Sequence, residues 1–485
     1  MTNLAIWLKP IWLLSLGTTT GLLVLLVLWG LLYLINRRAG EAVLTMVRDG
    51  ILLPITYTLA ILGLLALLAT PAMNPGEVFS SLVRLGQVGV IEQEITVPAQ
   101  TQDHPLAIAF RANELQSYSI ESEQDVAVNV EPGKGFVSPL IEVQELYNWS
   151  PGESTSRGFE GDITTLYLTN NSDLDSLVRI VVTSDVEMPE VHYLSVAALS
   201  VIGLFAVYLL INVLAPRASI IAQATAKEAI SQPLFILLIG IGIAALVLYV
   251  YVPYNTFGED VKMLKTSGMT TIKVLAIVFA LWTASVSVAD EIEGRTALTV
   301  LSKPVGRRQF ILGKFLGIVW PILLMFIILG AVFLLTVSYK VVYDARESAK
   351  EAPLWGECFA EVVRIVPGLV LGFFEAVVMA AISVAISTRL PMLPNLIICG
   401  SIYVLGHLTP LIVKSAVGEI VFVKFIGNLI GVILPVLDHY EIEGAIAGAS
   451  SVPSEYLLMA GLYTLLYCAA AMLIALLFFE DRDLA

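Results

Sequence analysis

Long apolar runs separated by short polar intervals set the pattern of most of this chain. Ile11 to Ile35 and Ile51 to Thr70 come first. Each is long enough to cross the roughly 30 Å hydrocarbon layer of a bilayer as a helix. Asn36 to Gly50 lies between them and carries Arg37, Arg38 and Arg48, and Thr70-Pro71 ends the second run. A cleaved signal peptide fits the first run poorly. Its n-region offers only Lys9, the run is too long, and no A-x-A site follows.

From about Val88 the period changes. VIEQEITV, PLAIAFR, DVAVNV, ITTLYLTN and VRIVVTS are short, β-rich and partly alternating, with turn clusters such as EPGKG, SPGES and TNNSDLDS between them. That pattern predicts an antiparallel sandwich of about seven strands over residues 76–192. Tyr147 and Trp149 there are either a sugar-stacking surface or ordinary core aromatics, and the core reading is favoured because aromatics dominate cores.

The long period then returns. Tyr193 to Leu214 is a third span. Pro216 to Gln232 is too polar to cross, but Ile220, Ile221, Ala224 and Ile230 recur at helical spacing, which predicts an amphipathic helix at the interface over 216–233. Six further spans are Leu234–Val252, Thr270–Ala289, Phe315–Val337, Ile365–Ser387, Pro394–Val413 and Tyr456–Phe479. Ile420 to Leu437 is also apolar but is interrupted by Lys424, Asn428 and Pro435. It is either a tenth span or a re-entrant pair of half-helices. The fold class expected is a mainly α-helical polytopic membrane protein of about nine transmembrane helices, with an inserted all-β domain between the first two spans (1–75) and the third (193–215).

Composition agrees. Of 485 residues 57% are hydrophobic and only 14% charged, with a mean hydropathy of +0.84, against roughly 25% charged in a soluble domain. The net charge is −14, and residues 76–192 carry all of it, with nineteen acidic and five basic side chains. That marks a separate, solvated domain. No basic patch stands out for nucleic acid. Cys358, Cys399 and Cys468 make no disulfide framework. Four scattered histidines have no metal-ligand spacing.

Orientation follows from basic residues in short loops. With nine spans, nine arginines fall on one side and two, Arg346 and Arg364, on the other, leaving out the acidic domain. The arginine-rich side is expected to be cytoplasmic, with the C-terminus. The N-terminus and β-domain are then extracytoplasmic.

The densest charged interval of the later spans is Asp290 to Lys314. Thr296 can cap a short helix. Leu298 and Leu301 give it one apolar face, and Pro304 prevents continuation into the next span. Glu291 and Arg295 stand four apart in the favourable order. The shape expected is span, break, short surface helix, break, span. Such an insert either enters a groove on a partner or is a plain charged hairpin that sets topology.

This stretch resembles the cytoplasmic loop of ABC-2 type transporter permeases, nearest to those of the copper-enzyme maturation type. There an E-x-E-x-G-[TR] run precedes L-S-x-P-[VIL]-[SG]-R and a G-K step. The corresponding residues are Glu291, Glu293, Gly294, Arg295, Thr296, Leu301, Ser302, Pro304, Val305, Gly306, Arg307, Gly313 and Lys314, with the two glutamates one position nearer the glycine than in the family run. The six-span layout over 234–485, with its preceding elbow helix, agrees more loosely, and the first 190 or so residues lie outside the family pattern. The resemblance implies that 290–314 is a coupling segment docking on a separate ATP-binding subunit, through Glu291, Glu293, Gly294, Arg295, Pro304, Arg307, Arg308 and Lys314. It also implies that two permease units pair around a pathway and that 420–437 is re-entrant.

No motor is legible in the chain. Its two Gly-Lys dipeptides, Gly133-Lys134 and Gly313-Lys314, have Val128 and Arg308 where a phosphate-binding loop needs glycine. No enzyme activity, catalytic residue, metal or cofactor is expected here, and ATP and magnesium belong to the partner. The function expected is the permease subunit of an ABC exporter among membrane lipids. Alternatives are force transmission to the β-domain, or a membrane scaffold acting through that domain.

Within the spans, Glu375 stands out. A carboxylate in hydrocarbon is costly and reads as functional by default. It either lines a pathway or makes a structural contact, and the chain offers few other intramembrane charges. His407 has no nameable partner. Gly313-x-x-x-Gly317 and Gly368-x-x-x-Gly372 allow close helix approach, more simply as packing than as a dimer seam.

Overall fold

The computed structural model describes residues 3–73, 75–150, 158–252, 259–293, 306–414, 434–442 and 452–480, with 422, 425, 427, 429, 431, 444 and 445. The chain divides into two compact units, Met1–Ala69 with Ala197–Ala485, and Thr70–Val196.

The first unit is helical. In hydrocarbon each peptide group must bond within its own segment, so long apolar runs become helices. They are α1 (Asn3–Ile35), α2 (Arg37–Arg48), α3 (Leu52–Ala69), α5 (His192–Leu214), α6 (Pro216–Ser231), α7 (Pro233–Tyr251), α8 (Asp260–Ala284), α9 (Arg307–Glu347), α10 (Trp355–Ser387), α11 (Met392–Lys414) and α12 (Ser454–Glu480). α4 (Pro75–Arg84) belongs to the other unit, where α5 also begins.

Eight described helices are long and apolar enough to cross a membrane: α1, α3, α5, α7, α8, α9, α10 and α12. The ninth expected span falls on α11, in which Met392–Leu408 is an apolar helical stretch. Half of 420–437, the segment read as re-entrant, lies outside the described residues. In the apolar windows of α8 and α10, 72% of residues are buried, against 22–28% in α1, α3, α5 and α7. So α8 and α10 form the centre of the unit, and the other four present leucines such as Leu64, Leu199 and Leu237 outward. The central core includes Phe279, Ile318, Leu329, Phe333, Leu371 and Val378.

α8, α9 and α10 run well beyond their expected spans, α10 starting ten residues before Ile365. α9 has 41 residues, about 60 Å at 1.5 Å per residue, and its end carries Lys340 and Asp344. α8 begins ten residues before the expected start at Thr270 and passes into a π-turn, Ser285–Asp290, and a last turn, Glu291–Glu293.

The interval between the first two spans is helical. The Asn36 side chain caps α2 by accepting from the Ala39 N–H. The expected interface helix is α6, with Pro216 in its first turn. Its small buried face (Ala218, Ala222, Thr225, Ala226) packs on the start of α9. There a Cβ on Gly313 would stand 2.7 Å from the Ala218 carbonyl, and one on Gly317 2.6 Å from Thr225 Cβ. The Gly313-x-x-x-Gly317 step is therefore a seam within the chain.

The second unit holds α4 (Pro75–Arg84) and eight strands: β1 (Val90–Val97), β2 (Thr101–Arg111), β3 (Leu115–Ser122), β4 (Val126–Asn129), β5 (Ile141–Val143), β6 (Leu146–Trp149), β7 (Asp162–Asn170) and β8 (Ser176–Ser184). They form two antiparallel four-stranded sheets, ordered β1-β8-β3-β6 and β2-β7-β4-β5. Alternation places Val178, Ile180 and Val182 of β8 in one apolar cluster with Val128, Leu166 and Leu168 of the other sheet. Trp149 is buried there, with Tyr118 stacked on it at 5.6 Å. A sugar platform on Trp149 is thereby excluded. The expected domain also opens with a helix, α4, whose Arg84 forms an ion pair with buried Glu114.

Candidate functional site

Polar chemistry in the helical unit gathers at two places. The first is the base of the charged insert. Gly294, Arg295 and Pro304 lie outside the described residues, as do Thr296, Leu301, Ser302 and Val305. The ends of the insert are described. Lys314, buried about two turns into α9, donates to Glu291 Oε1 at 2.5 Å. That contact joins the last turn after α8 to the first turns of α9. Glu293 lies on the same last turn. Gln309 reaches back to accept from the Gly306 N–H at 3.1 Å, the returning half of a capping box. Arg307 is exposed but engaged: it donates to the Glu480 carbonyl at 2.7 Å and lies over the Phe479 ring. Arg308 beside it is exposed.

The π-turn leading to this base is pinned from inside. Asn395 of α11, fully buried, places its amide nitrogen 2.8 Å from Ser285 Oγ and Ser383 Oγ and 2.9 Å from Ser387 Oγ. One side chain thus ties the widened end of α8 to α10 and α11. π-turns inside α-helices often mark functional positions.

The second place surrounds Glu375. It is fully buried, and three charged or titratable groups stand near it. Lys273 Nζ of α8 lies 3.3 Å from Glu375 Oε2, and His407 Nε2 of α11 lies 3.3 Å from Glu375 Oε1. Glu441 lies 3.9 Å from Lys273 and is 42% exposed, so the cluster reaches a surface. A second pair between α8 and α10, Lys265 with Glu361, lies eight residues along α8 and fourteen along α10. Both spacings approach a whole number of turns, so each helix presents its charges on one face. Lys340 of α9 is 1% exposed, against Asp260 at 3.5 Å and the Val250 carbonyl at 3.2 Å.

These contacts correct two expectations. Glu375 has a buried cation, Lys273, beside it, and His407 has a partner. Lys273 lay inside an expected span, and the spacings Lys265–Lys273 and Glu361–Glu375 were legible signals. The expected pathway carboxylate is an ion-paired one.

An apolar cavity of about 580 Å³ lies between α10, α11 and α12, lined by Ile382, Ile386, Ile402, Tyr463, Tyr467 and Phe478 among others. The Tyr463 hydroxyl accepts from the Val436 N–H of the segment that carries Glu441. Compared with known proteins, the chain matches no family model and no curated protein.

Proposed function

We propose that this chain is the membrane-spanning permease subunit of an ABC-2 type transporter, working as an exporter with a separate ATP-binding subunit. The observation that supports this reading best is the Glu291–Lys314 contact. It closes the base of the charged insert on the helix bundle, so a push on the insert reaches α8 and α9 together. Both residues belong to the motif that resembles the coupling loop. The packing of α6 on Gly313 and Gly317 gives the elbow helix a seat on the same turns of α9. The ATP-binding partner would hold ATP and magnesium, and two permease units would enclose the pathway. In this reading the insert faces the cytoplasm and the sheet unit the other side of a cell membrane.

Co-purification with a candidate ABC-type ATP-binding subunit, co-expressed with this chain, tests it. Arg308→Glu is the cleaner variant, because Arg307 also holds the end of α12. Arg308→Glu, alone and with Arg307→Glu, is expected to weaken retention of the ATPase at least tenfold while the chain stays monodisperse. Full retention removes this surface as the docking site.

One observation favours a second reading, force transmission to the sheet unit: residues 70–196 form a compact unit with their own core. Deleting residues 76–189 separates the two. Transport that survives the deletion supports the exporter.

A further inference from the structure

The charges around Glu375 do not balance. With a neutral histidine ring, one lysine, Lys273, serves two carboxylates, Glu375 and Glu441. The ring itself shows where the balance is made. His407 Nδ1 lies 3.0 Å from the Tyr403 carbonyl oxygen. A carbonyl only accepts, so Nδ1 carries a hydrogen and donates it. In the neutral ring Nε2 then presents a bare lone pair. It faces Glu375 Oε1, itself an acceptor when ionised, at 3.3 Å. Two lone pairs opposed inside an apolar bundle repel, and burial leaves that repulsion poorly screened. A single proton between the two atoms converts it into a charge-assisted hydrogen bond.

The elements packed against α11 are α8, the π-turn, α10 and the 434–442 segment, and among the described residues the charged groups they bring to His407 are Glu375 of α10, with Lys273 of α8 and Glu441 of the 434–442 segment behind it. Among the described residues, Lys273 and His407 are the cations within ion-pair distance of Glu375. Tyr440 bonds to Thr464 at 2.6 Å and is not a donor to the carboxylate.

We propose that Lys273, Glu375, His407 and Glu441 form a proton-binding site within the helical unit. One proton is held between His407 Nε2 and Glu375 Oε1, and it exchanges with water on the side where Glu441 is exposed. Only a proton moves. On uptake, water on the side where Glu441 is exposed gives the proton to the His407–Glu375 pair, and Glu375 is then satisfied by the imidazolium. Lys273 is released to close on Glu441. On loss, the proton returns to water, Nε2 and Oε1 repel, and Lys273 carries Glu375 alone. The α10–α11 contact therefore depends on proton occupancy. This property does not rest on the permease reading.

The chain has four histidines, His104, His192, His407 and His439, so selective labelling is tractable. The full-length chain, with 15N-histidine, is reconstituted in lipid nanodiscs without any ATPase and titrated from about pH 5 to 9, the range in which imidazole changes charge. His407→Gln assigns the signal. The expected result is a His407 ring that changes protonation in this window. Glu375→Gln and Lys273→Met each displace its titration by about one pH unit or more, tenfold in proton affinity, and in opposite senses. One removes an opposite charge and the other a like charge. If Glu375→Gln fails to fold, Glu441→Gln, at a part-exposed position, gives a smaller displacement in the same sense as Glu375→Gln. A ring that holds one state across the window in the wild type overturns the proposal. So does a titration that neither substitution moves, or that both move in the same sense.

Discussion

Lys265 of α8 is 3% exposed and pairs with Glu361 of α10, ninety-six residues away in sequence. Glu361 has a second cation, Arg364, at 2.8 Å, whereas Glu361 is the ion-pair partner of Lys265 among the described residues. The pair is therefore asymmetric. Removing one partner of a buried pair costs about 3–5 kcal/mol because the other charge is stranded.

Glu361→Leu strands Lys265, whereas Lys265→Met leaves Glu361 with Arg364. Glu361→Leu is expected to lower thermal stability by most of that amount and Lys265→Met by well under half of it. The double variant should regain much of the loss. Thermal unfolding of the three variants in one detergent checks this. Equal losses for the two single variants sink the asymmetry.

The Glu291–Lys314 contact carries a second prediction. Lys314→Met removes a charge-assisted hydrogen bond worth about 1.5–3 kcal/mol. Adding Glu291→Gln should cost little more, since the interaction is already gone. A double-mutant cycle read by hydrogen exchange over residues 307–320 measures the coupling. Additive losses would show that the two residues act independently.

Gly317 and Gly240 should differ sharply. A side chain at Gly317 meets Thr225 and the Ala222 carbonyl, while at Gly240 nothing lies within 4 Å. Gly317→Val is expected to cost about 1–3 kcal/mol through overpacking and to raise protease sensitivity of α6. Gly240→Ala is expected to be neutral or to stabilise by about 0.4–1 kcal/mol. Limited proteolysis with thermal unfolding checks both.

In the sheet unit, burial first and Tyr147 second push the Tyr118 hydroxyl above its ordinary value. The sign follows from linkage. A group whose value is raised by folding contributes its stability below the unfolded value, about 10, and loses it as pH rises beyond that. The unit should therefore weaken above about pH 10. Tyr118→Phe should flatten that alkaline dependence. Exchange protection of β3 and β8 in the full chain, measured from about pH 8 to 11, reports it. An unchanged alkaline slope in Tyr118→Phe would assign the loss elsewhere.

Much of the architecture was legible because it is written in short-range periodicity. Apolar runs such as Leu234–Val252 became α7, and the alternation of VRIVVTS became β8. The interface helix over 216–233 appeared as α6. Other elements were legible and passed over. Val43, Met46 and Val47 recur at helical spacing in α2, yet the arginines around them read as a loop. Lys273 sat inside an expected span, eight residues from Lys265.

What the sequence by itself determined is which segments are apolar enough to cross a bilayer, where the pattern turns to strands, and which residues carry charge. Those properties are local, because hydrogen bonding and burial act within one helix or one strand. Tertiary structure alone decided the partners. Glu375 and Lys273 are 102 positions apart, and Glu375 and His407 are 32 apart. Only the packing of α8, α10 and α11 brings them together. The same packing turned Gly313 and Gly317 into a seat for α6 and aimed His407 Nε2 at a carboxylate. A helix sequence specifies which face a side chain occupies. The charge that face meets is set by the neighbouring helix, and no local period encodes it.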